Sequence, residues 1–444
     1  MSRKKLFKAA TLLAPLALAG LAPRAAAGIP ALSSPLVELG DRSCGYFVLD
    51  TSATWSDNIY GAGLRIDDMI YTVSPGFNLD FGRDSVNTLS IAFRETFVDY
   101  MQHSGIDTQL ASGSISWSFD PQSRLRLGAS ASFTQVAQND QTMWVPALQR
   151  DASGAILYGV DGRPIQATDA NGNAIYEEEG HILRRDLYSA GVHASYNISS
   201  KVNADVSLNW SMEHYRDYRT IYNDRQTFTV PASLFYQIFE KYYLGISYNY
   251  SYTDIQQKEN DNYDPGYQHS HYVGLSTKGP LTSRLTLRGS VGWGVTYYEG
   301  RSVMYEDTFA FQSYRVQIDD YTYSTLNFSL ALDYVGNKWR VSLMGARSFQ
   351  LSGTASSYTN TYGRLNFQAW LTEKWSYYAY FGYAYQDYYY YKRHDQVLTY
   401  GGGIDYHPNR YWRIGVGYAG LRDISTRIKD FYINSISINA SLKY

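Results

Sequence analysis

From Ala111 to Phe119 the chain alternates without a break. Ala111, Gly113, Ile115, Trp117 and Phe119 are small or apolar, and Ser112, Ser114, Ser116 and Ser118 lie between them. Successive side chains of a strand point to opposite faces, so this spacing predicts a strand with one greasy face and one wet face. Residues 124–135 repeat it: Leu125, Leu127, Ala129, Ala131 and Phe133 stand against Arg126, Gly128, Ser130, Ser132 and Thr134. Residues 242–254 set Tyr242, Leu244, Ile246, Tyr248, Tyr250 and Tyr252 against Gly245, Ser247, Asn249 and Ser251. A helical period of 3.6 would mix the two sets.

Read this way the chain yields about 18 segments of the length a tilted membrane-crossing strand needs. They span 46–56, 69–81, 88–99, 109–119, 124–135, 186–198, 202–214, 226–238 and 242–253 in the first half. The second half gives 269–279, 284–298, 322–335, 339–350, 361–371, 375–387, 396–407, 411–420 and 432–444. Short turns, such as 199–201, 239–241, 336–338 and 372–374, alternate with longer polar loops. That sorting predicts an all-β fold, a transmembrane antiparallel up-and-down β-barrel with short periplasmic turns and longer extracellular loops. Closure is required as well, because hydrocarbon cannot satisfy a free strand edge.

Composition supports the same reading. Aromatics make up 16% of the 444 residues, with 44 Tyr against 18 Phe, yet mean hydropathy is −0.36. Residues 1–27 read as a signal peptide: Arg3, Lys4, Lys5 and Lys8 precede an apolar stretch, and Ala25-Ala26-Ala27 offers a cleavage site. Residues 28–45 are then a periplasmic segment and 46–444 the barrel. The leader carries five basic and no acidic residues, so its removal takes the formal charge from −2 to −7, which argues against a nucleic-acid partner. Cys44 is the only cysteine and excludes an internal disulfide; Asp41-Arg42-Ser43 before it does not suit a lipoprotein acceptor.

The chain ends on an alternating strand, with Ile436, Ile438, Ala440, Leu442 and Tyr444 on one face. A last strand closing on an aromatic resembles the signal read by the outer-membrane barrel assembly machinery. Expected partners are therefore that machinery, outer-membrane lipid and lipopolysaccharide.

Two motifs near the start carry a family resemblance. Trp55-Ser56-Asp57-Asn58-Ile59-Tyr60 opens the first loop, and the next strand carries Asp67-Asp68-Met69-Ile70-Tyr71-Thr72-Val73-Ser74-Pro75-Gly76-Phe77. These resemble the β-barrel porin family encoded beside exopolysaccharide synthesis genes. The resemblance implies a polysaccharide-linked channel, with polysaccharide and periplasmic export proteins as partners. The interval 136–184 departs from the family's compact pattern.

Alternation assigns candidate pore-lining positions. The basic ones are Arg124, Arg126, Arg288, Arg340, Arg364 and Arg413, the acidic ones Asp205, Asp333 and Asp405, and His193 also faces inward. With both signs present, a neutral or zwitterionic solute is at least as compatible as an anion. Tyr243, Tyr272, Trp370, Tyr378 and Tyr380 share the polar face and could present flat surfaces to a sugar ring, or simply pack the wall. Other Tyr and Trp, including Trp210, Tyr250, Tyr297, Trp339, Trp375, Tyr383 and Trp412, fall on outward positions and read as interfacial belts. Within 136–184, Asp151-Ala152-Ser153-Gly154, Val160-Asp161-Gly162 and Asp169-Ala170-Asn171-Gly172 read as serial hairpins outside the membrane or, alternatively, as an inward constriction loop. Glu177-Glu178-Glu179 with His181 could hold a hard cation or be simply solvated. No catalytic constellation and no cofactor motif emerges; His193 and His394-Asp395 are the histidines a barrel-embedded hydrolase would use.

Overall fold

The computed structural model describes residues 37–40, 42–61, 65–121, 124–146, 149, 157, 176–217, 223–256, 266–299, 302–307, 312–317, 320–351, 357–388, 393–426 and 430–444. The expected leader and the three hairpin repeats lie outside them, as do the side chains of Glu177, Glu178, Glu179 and His181.

Eighteen strands close into one antiparallel barrel. The first nine are β1 (Ser43–Ser56), β2 (Asp68–Phe81), β3 (Asn87–Tyr100), β4 (Thr108–Phe119), β5 (Leu125–Pro146), β6 (Tyr176–Asn197), β7 (Val202–Tyr215), β8 (Arg225–Phe239) and β9 (Tyr242–Ile255). The rest are β10 (Tyr267–Pro280), β11 (Leu285–Glu299), β12 (Tyr321–Val335), β13 (Trp339–Leu351), β14 (Ser357–Trp370), β15 (Trp375–Tyr388), β16 (Arg393–Tyr406), β17 (Trp412–Ser425) and β18 (Phe431–Lys443). Neighbours in sequence are neighbours in the sheet, and β18 returns to pair with β1 from Val48↔Lys443 to Ser56↔Ser435. A short strand, Val37–Gly40, folds back on the start of β1.

The outer face is apolar and bare. Val192 (53% exposed), Leu234 (51%), Ile246 (60%) and Ile438 (59%) sit in mid-strand with no protein over them. Side chains this greasy and this open, on strands all round the wall, are covered only if the surroundings are lipid. Aromatic rings gather where the strands meet the short turns: Tyr334 stacks on Trp339 at 4.7 Å, Trp375 lies 4.7 Å from Tyr406, and Tyr411 lies 5.2 Å from Tyr444. Such a girdle suits the membrane–water boundary, where one end of the ring is wet.

The short turns have a shared device. Thr282 Oγ1 accepts from the backbone N–H groups of Arg284 and Leu285, Thr372 Oγ1 from Lys374 and Trp375, Ser199 Oγ from Lys201 and Val202, and Asn409 Oδ1 from Tyr411 and Trp412. A hydroxyl or amide oxygen two or three residues ahead thus replaces the strand partner that the turn takes away.

The two early motifs bind the closure seam. Asp57 accepts from the backbone N–H of Asn434 (2.6 Å) and from its side-chain amide (2.9 Å), and Asn58, fully buried, donates to the Tyr432 carbonyl at 3.1 Å. Asp68 gathers the third loop: it accepts from the N–H groups of Met69, Gln102 and His103 and from His103 Nδ1 at 2.8 Å. Below them Arg94 on β3 crosses Gly76 on β2 to pair with Asp50 on β1, which also accepts from Ser441 on β18. Tyr444 completes the ring through reciprocal backbone bonds with Phe47, 2.7 and 2.9 Å.

Three features correct the expectations above. Most of the flanks of the supposed 136–184 loop are strand: β5 and β6 run 22 residues each and stay paired out to Pro146↔Tyr176, with one irregularity between Asp140 and Met143. Beyond the lipid a two-stranded ribbon no longer needs an apolar face, so alternation fades while pairing continues. A two-stranded hairpin, Ser302–Asp307 with Gln312–Gln317, stands in the β11–β12 connection, where no strand is expected. Lastly, the wall is not uniformly paired. β12 pairs with β11 as far as Tyr321, and β13 with β14 as far as Leu351, but β12 and β13 pair with each other only from Val335↔Arg340 to Phe328↔Arg347.

Candidate functional site

The lumen is lined by hydroxyls that bond to one another across strands. Ser132 meets Ser189 at 2.7 Å, Thr227 meets Thr253 at 3.0 Å, Ser247 meets Ser276 at 2.6 Å, Ser270 meets Thr296 at 2.9 Å and Ser290 meets Ser329 at 2.8 Å. Each hydroxyl in such a pair keeps acceptor capacity toward the interior. Against this wall, from β5 round to β13, lies a cavity of about 840 Å3. Asn249, Asn327 and Tyr272 line it together with the hydroxyls.

Alternation placed charges on this face, and the fold pairs many of them. Asp205 meets Lys278 Nζ at 2.5 Å; the same ammonium bonds Asn203 Oδ1 at 3.1 Å and lies 4.0 Å from the Phe235 ring and 5.9 Å from Tyr243. It spans from β10 to β7 across the concave interior. Lys278 is the residue sequence reasoning passed over, although it shares the parity of Tyr272 and could have been found by it. Asp333 accepts from Arg340 Nη2 at 3.0 Å and from Ser342 at 2.5 Å, with the Arg288 charge also acting on it. Arg126 pairs with Asp120 at 3.4 Å in the short turn, beside the exposed Arg124. Arg413 and His407 act on the buried Asp405. Arg364 donates to Asn366 at 2.9 Å and lies 4.9 Å over the Tyr380 ring. The interior is thus populated by ions but largely self-neutralised.

The aromatics divide. A Cβ at Gly403 or Gly417 would sit 2.7 Å from the Tyr378 hydroxyl, and one at Gly401 would sit 2.6 Å from that of Tyr380. Both rings therefore lie flat on glycine strips of β16 and β17, packing the wall. Tyr272 covers Gly274 in the same way but also lines the cavity. His193 covers Gly128. Trp370 sits at the turn end of β14, its backbone N–H donating to the Lys338 carbonyl at 2.8 Å. Ile436, Ile438, Ala440 and Leu442 lie along β18, where Ile436 and Ile438 are open to the outside.

Toward the extracellular end the lumen fills with buried polar groups. Arg185 on β6 pairs with Glu213 on β7, which accepts from Tyr215 at 3.0 Å and from Arg225 on β8 at 2.7 Å. On the far side Tyr358 of β14 donates to Gln350 of β13 at 2.8 Å and stacks on Tyr388 at 5.0 Å. Among the described histidines, His394 lies 3.1 Å from Asp387 and stacks on Tyr385, and His407 Nε2 meets the buried Ser376 Oγ at 3.2 Å. The fold does not bring His193 to either.

A closed sheet, apolar outside and hydroxyl-rich within, defines an outer-membrane β-barrel with a channel-like interior. No protein-family model matches the chain, and no curated protein matches it in sequence. Among solved structures it is similar to OccK2 (OpdF) of Pseudomonas aeruginosa, at 9% identity and a TM-score of 0.45 over 90% of this chain and 97% of that one. It is also similar to OpdK of Pseudomonas aeruginosa (10%, 0.44, covering 90% and 99%) and to the open form of the ferric-catecholate import receptor Fiu of E. coli (9%, 0.43, covering 89% and 81%). These likenesses are loose, and the barrel assignment rests on this chain's own strand pairing.

Proposed function

We propose that the protein is a porin-like channel for uncharged, hydroxyl-rich solutes, a carbohydrate-type cargo moving out of or into the cell. One observation carries the reading: serine, threonine and asparagine dominate the polar lining of the cavity, where Glu213 and Arg225 pair with each other and Arg347 also lies, and elsewhere on the wall Asp205, Asp333 and Arg340 each meet an opposite charge. A sugar can exchange its water hydrogen bonds for such hydroxyls without stripping an ion of its shell. The early motifs, similar to those of barrels encoded beside exopolysaccharide genes, support the same cargo class. The protein does no covalent chemistry in this reading.

The test is selectivity. In planar bilayers under a KCl gradient, the reversal potential should lie close to zero, and proteoliposomes should swell faster in neutral disaccharide than in a singly charged solute of the same size. Strong cation or anion preference would overturn the proposal. A second reading, a plugged barrel acting through its outer surface, is favoured by the buried polar cluster of Arg185, Glu213 and Tyr215 at the extracellular end of the lumen. Absence of conductance in the parent protein would select it.

A further inference from the structure

The lumen face of β10 and β11 carries a patch of glycine where its surroundings carry hydroxyls. Gly274 stands opposite Gly292, which stands opposite Asn327, and one rung nearer the extracellular end Tyr272 stands opposite Gly294. Hydroxyl rungs frame the patch, Ser270 with Thr296 above and Ser276 with Ser290 and Ser329 below. A glycine inside a strand weakens it and marks a place where something lies close on the backbone. Here two side chains do. Tyr272 runs down over Gly274, its Cζ 2.7 Å from where a Cβ would stand, and Asn327 runs up over Gly294, where a Cβ would overlap its amide nitrogen. The Tyr272 hydroxyl is buried, yet the residue lines the cavity, so what it shows the lumen is ring.

The same cavity wall collects buried polar atoms that the fold leaves without a hydrogen bond: Gln268 Oε1, Asn327 Oδ1 and Arg347 Nε. Such atoms destabilise a fold, so several on one wall call for an occupant that pairs them. Asn327 makes no side-chain hydrogen bond among the described residues, and a turn about its last torsion brings its oxygen to the lumen. The amide oxygens only accept, and the guanidinium only donates. A carboxylate or phosphate would suit Arg347 but would meet the amide oxygens lone pair to lone pair. Sugar hydroxyls both donate and accept, and the C–H face of a pyranose is an apolar surface that an aromatic ring can cover.

We propose that Tyr272 and Asn327, with Gln268 and Arg347 at the rim, form a binding subsite for one neutral hexopyranose unit, stacked on the Tyr272 ring. The inference rests on the carbohydrate-channel reading above and gives the cargo a place on the wall. The glycine floor makes the subsite possible. A side chain at Gly274 or Gly294 would lift the ring or the amide off the wall and into the path of the cargo. Tyr378 and Tyr380 also cover glycine but do not line this cavity, so the subsite is one spot on the wall.

The test reads binding apart from transport. Saturation-transfer NMR on the whole barrel folded in detergent needs no open pore. The probes are the methyl glycosides of glucose, galactose and mannose, with methyl glucuronoside as the charged counterpart. The parent should transfer saturation to at least one neutral glycoside, most strongly to the C–H protons of one ring face. Y272A should weaken that binding about fivefold or more, as expected for loss of one aromatic contact, while Y272F should keep it within about twofold. N327A should weaken it about threefold, the share of one neutral hydrogen bond. No transfer to any neutral glycoside, or binding that Y272A leaves unchanged, overturns the subsite. Equal loss in Y272F and Y272A overturns the stacking, and full binding in N327A overturns the part given to the amide. Glucuronoside that displaces the neutral sugar at about a tenth of its concentration overturns the neutral class. Conductance of the parent in planar bilayers is measured separately. A parent that conducts but binds no glycoside loses the subsite alone, and one that binds but never conducts keeps the subsite and loses the channel reading. Heat-modifiable migration of each variant shows that it has folded.

Discussion

Gly76, in the Ser-Pro-Gly motif of β2, is the position where a single carbon should be most revealing. Its cross-strand partner is Arg94, whose side chain runs over the glycine to reach Asp50 two strands from its own. A Cβ there would overlap the Phe93 carbonyl oxygen and sit 2.7 Å from Arg94 Cγ. Two effects then compete in Gly76→Ala. Replacing a strand-interior glycine by alanine ordinarily gains roughly 0.5–1 kcal/mol, because the unfolded chain has less freedom to lose. Overpacking against neighbours that cannot move costs about 1–3 kcal/mol. Arg94 can swing aside, but the carbonyl belongs to the β2–β3 ladder and cannot.

If Arg94 does swing, its pairing with Asp50 is lost. Both side chains are about a third exposed (35% and 32%), so solvent screening leaves that pair about 0.2–1 kcal/mol. The clash should therefore win, with a net loss of about 0.2–3.5 kcal/mol for Gly76→Ala against about 0–1 kcal/mol for Arg94→Ala. Equilibrium unfolding in urea, with the barrel folded in detergent, measures both. The double variant should recover only the part owed to Arg94 Cγ. Hydrogen exchange should quicken in β1 and β18, since Asp50 also holds Ser441. A Gly76→Ala barrel as stable as the parent or more so would refute the close approach of β2 and β3 on which this reasoning stands.

Two other outcomes are expected. Tyr444→Ala removes the ring that contacts Tyr411 but leaves the reciprocal backbone bonds to Phe47, so insertion in cells should fall much more than refolding from urea into detergent; equal insertion would defeat the assembly-signal reading. In the loop after β7, hydrogen bonds from Arg184 hold the Asp217 carboxyl below the usual carboxylate range; a lowered folded pKa means that this contribution is complete above the ordinary value of 3.8 and fades as pH falls through the lower one. The stability difference between parent and Asp217→Asn should therefore be present at neutral pH and vanish in acid, and a difference that persists there would contradict the pairing.

The alternation of apolar and polar residues made the barrel legible because lipid enforces it. Each mid-wall strand must turn one face to hydrocarbon and the other to water, so Tyr242–Ile255 and Trp375–Tyr388 are visible almost residue for residue. Legibility stops where that force stops. The outer parts of β5 and β6 remain strands because their backbones pair, but no bilayer requires them to alternate, and they read as loop. Charge pairing was hidden for another reason. Lys278 precedes Gly279 and Pro280 and looks like part of a turn, and its partner, Asp205, lies three strands away across a curved surface. Parity states which face a residue is on; curvature and register decide whom it meets.

The divergence of β12 from β13 belongs to a third kind of feature. Leu326, Phe328 and Leu330 alternate as regularly as Val341, Leu343 and Gly345, so each strand alone looks like an ordinary piece of wall. What differs is the bracing between strands. At the β1–β18 seam, side chains lock the ladder from both ends, Asp50 with Ser441 and Arg94 below, Asp57 with Asn434 above. Between the upper halves of β12 and β13 the contacts among the described residues include the Tyr323–Phe349 stack and, one strand further on, the Tyr323–Thr359 hydrogen bond. Those contacts join residues of opposite parity, Tyr323 on one side and Phe349 and Thr359 on the other, and the alternation within either strand carries no record of them.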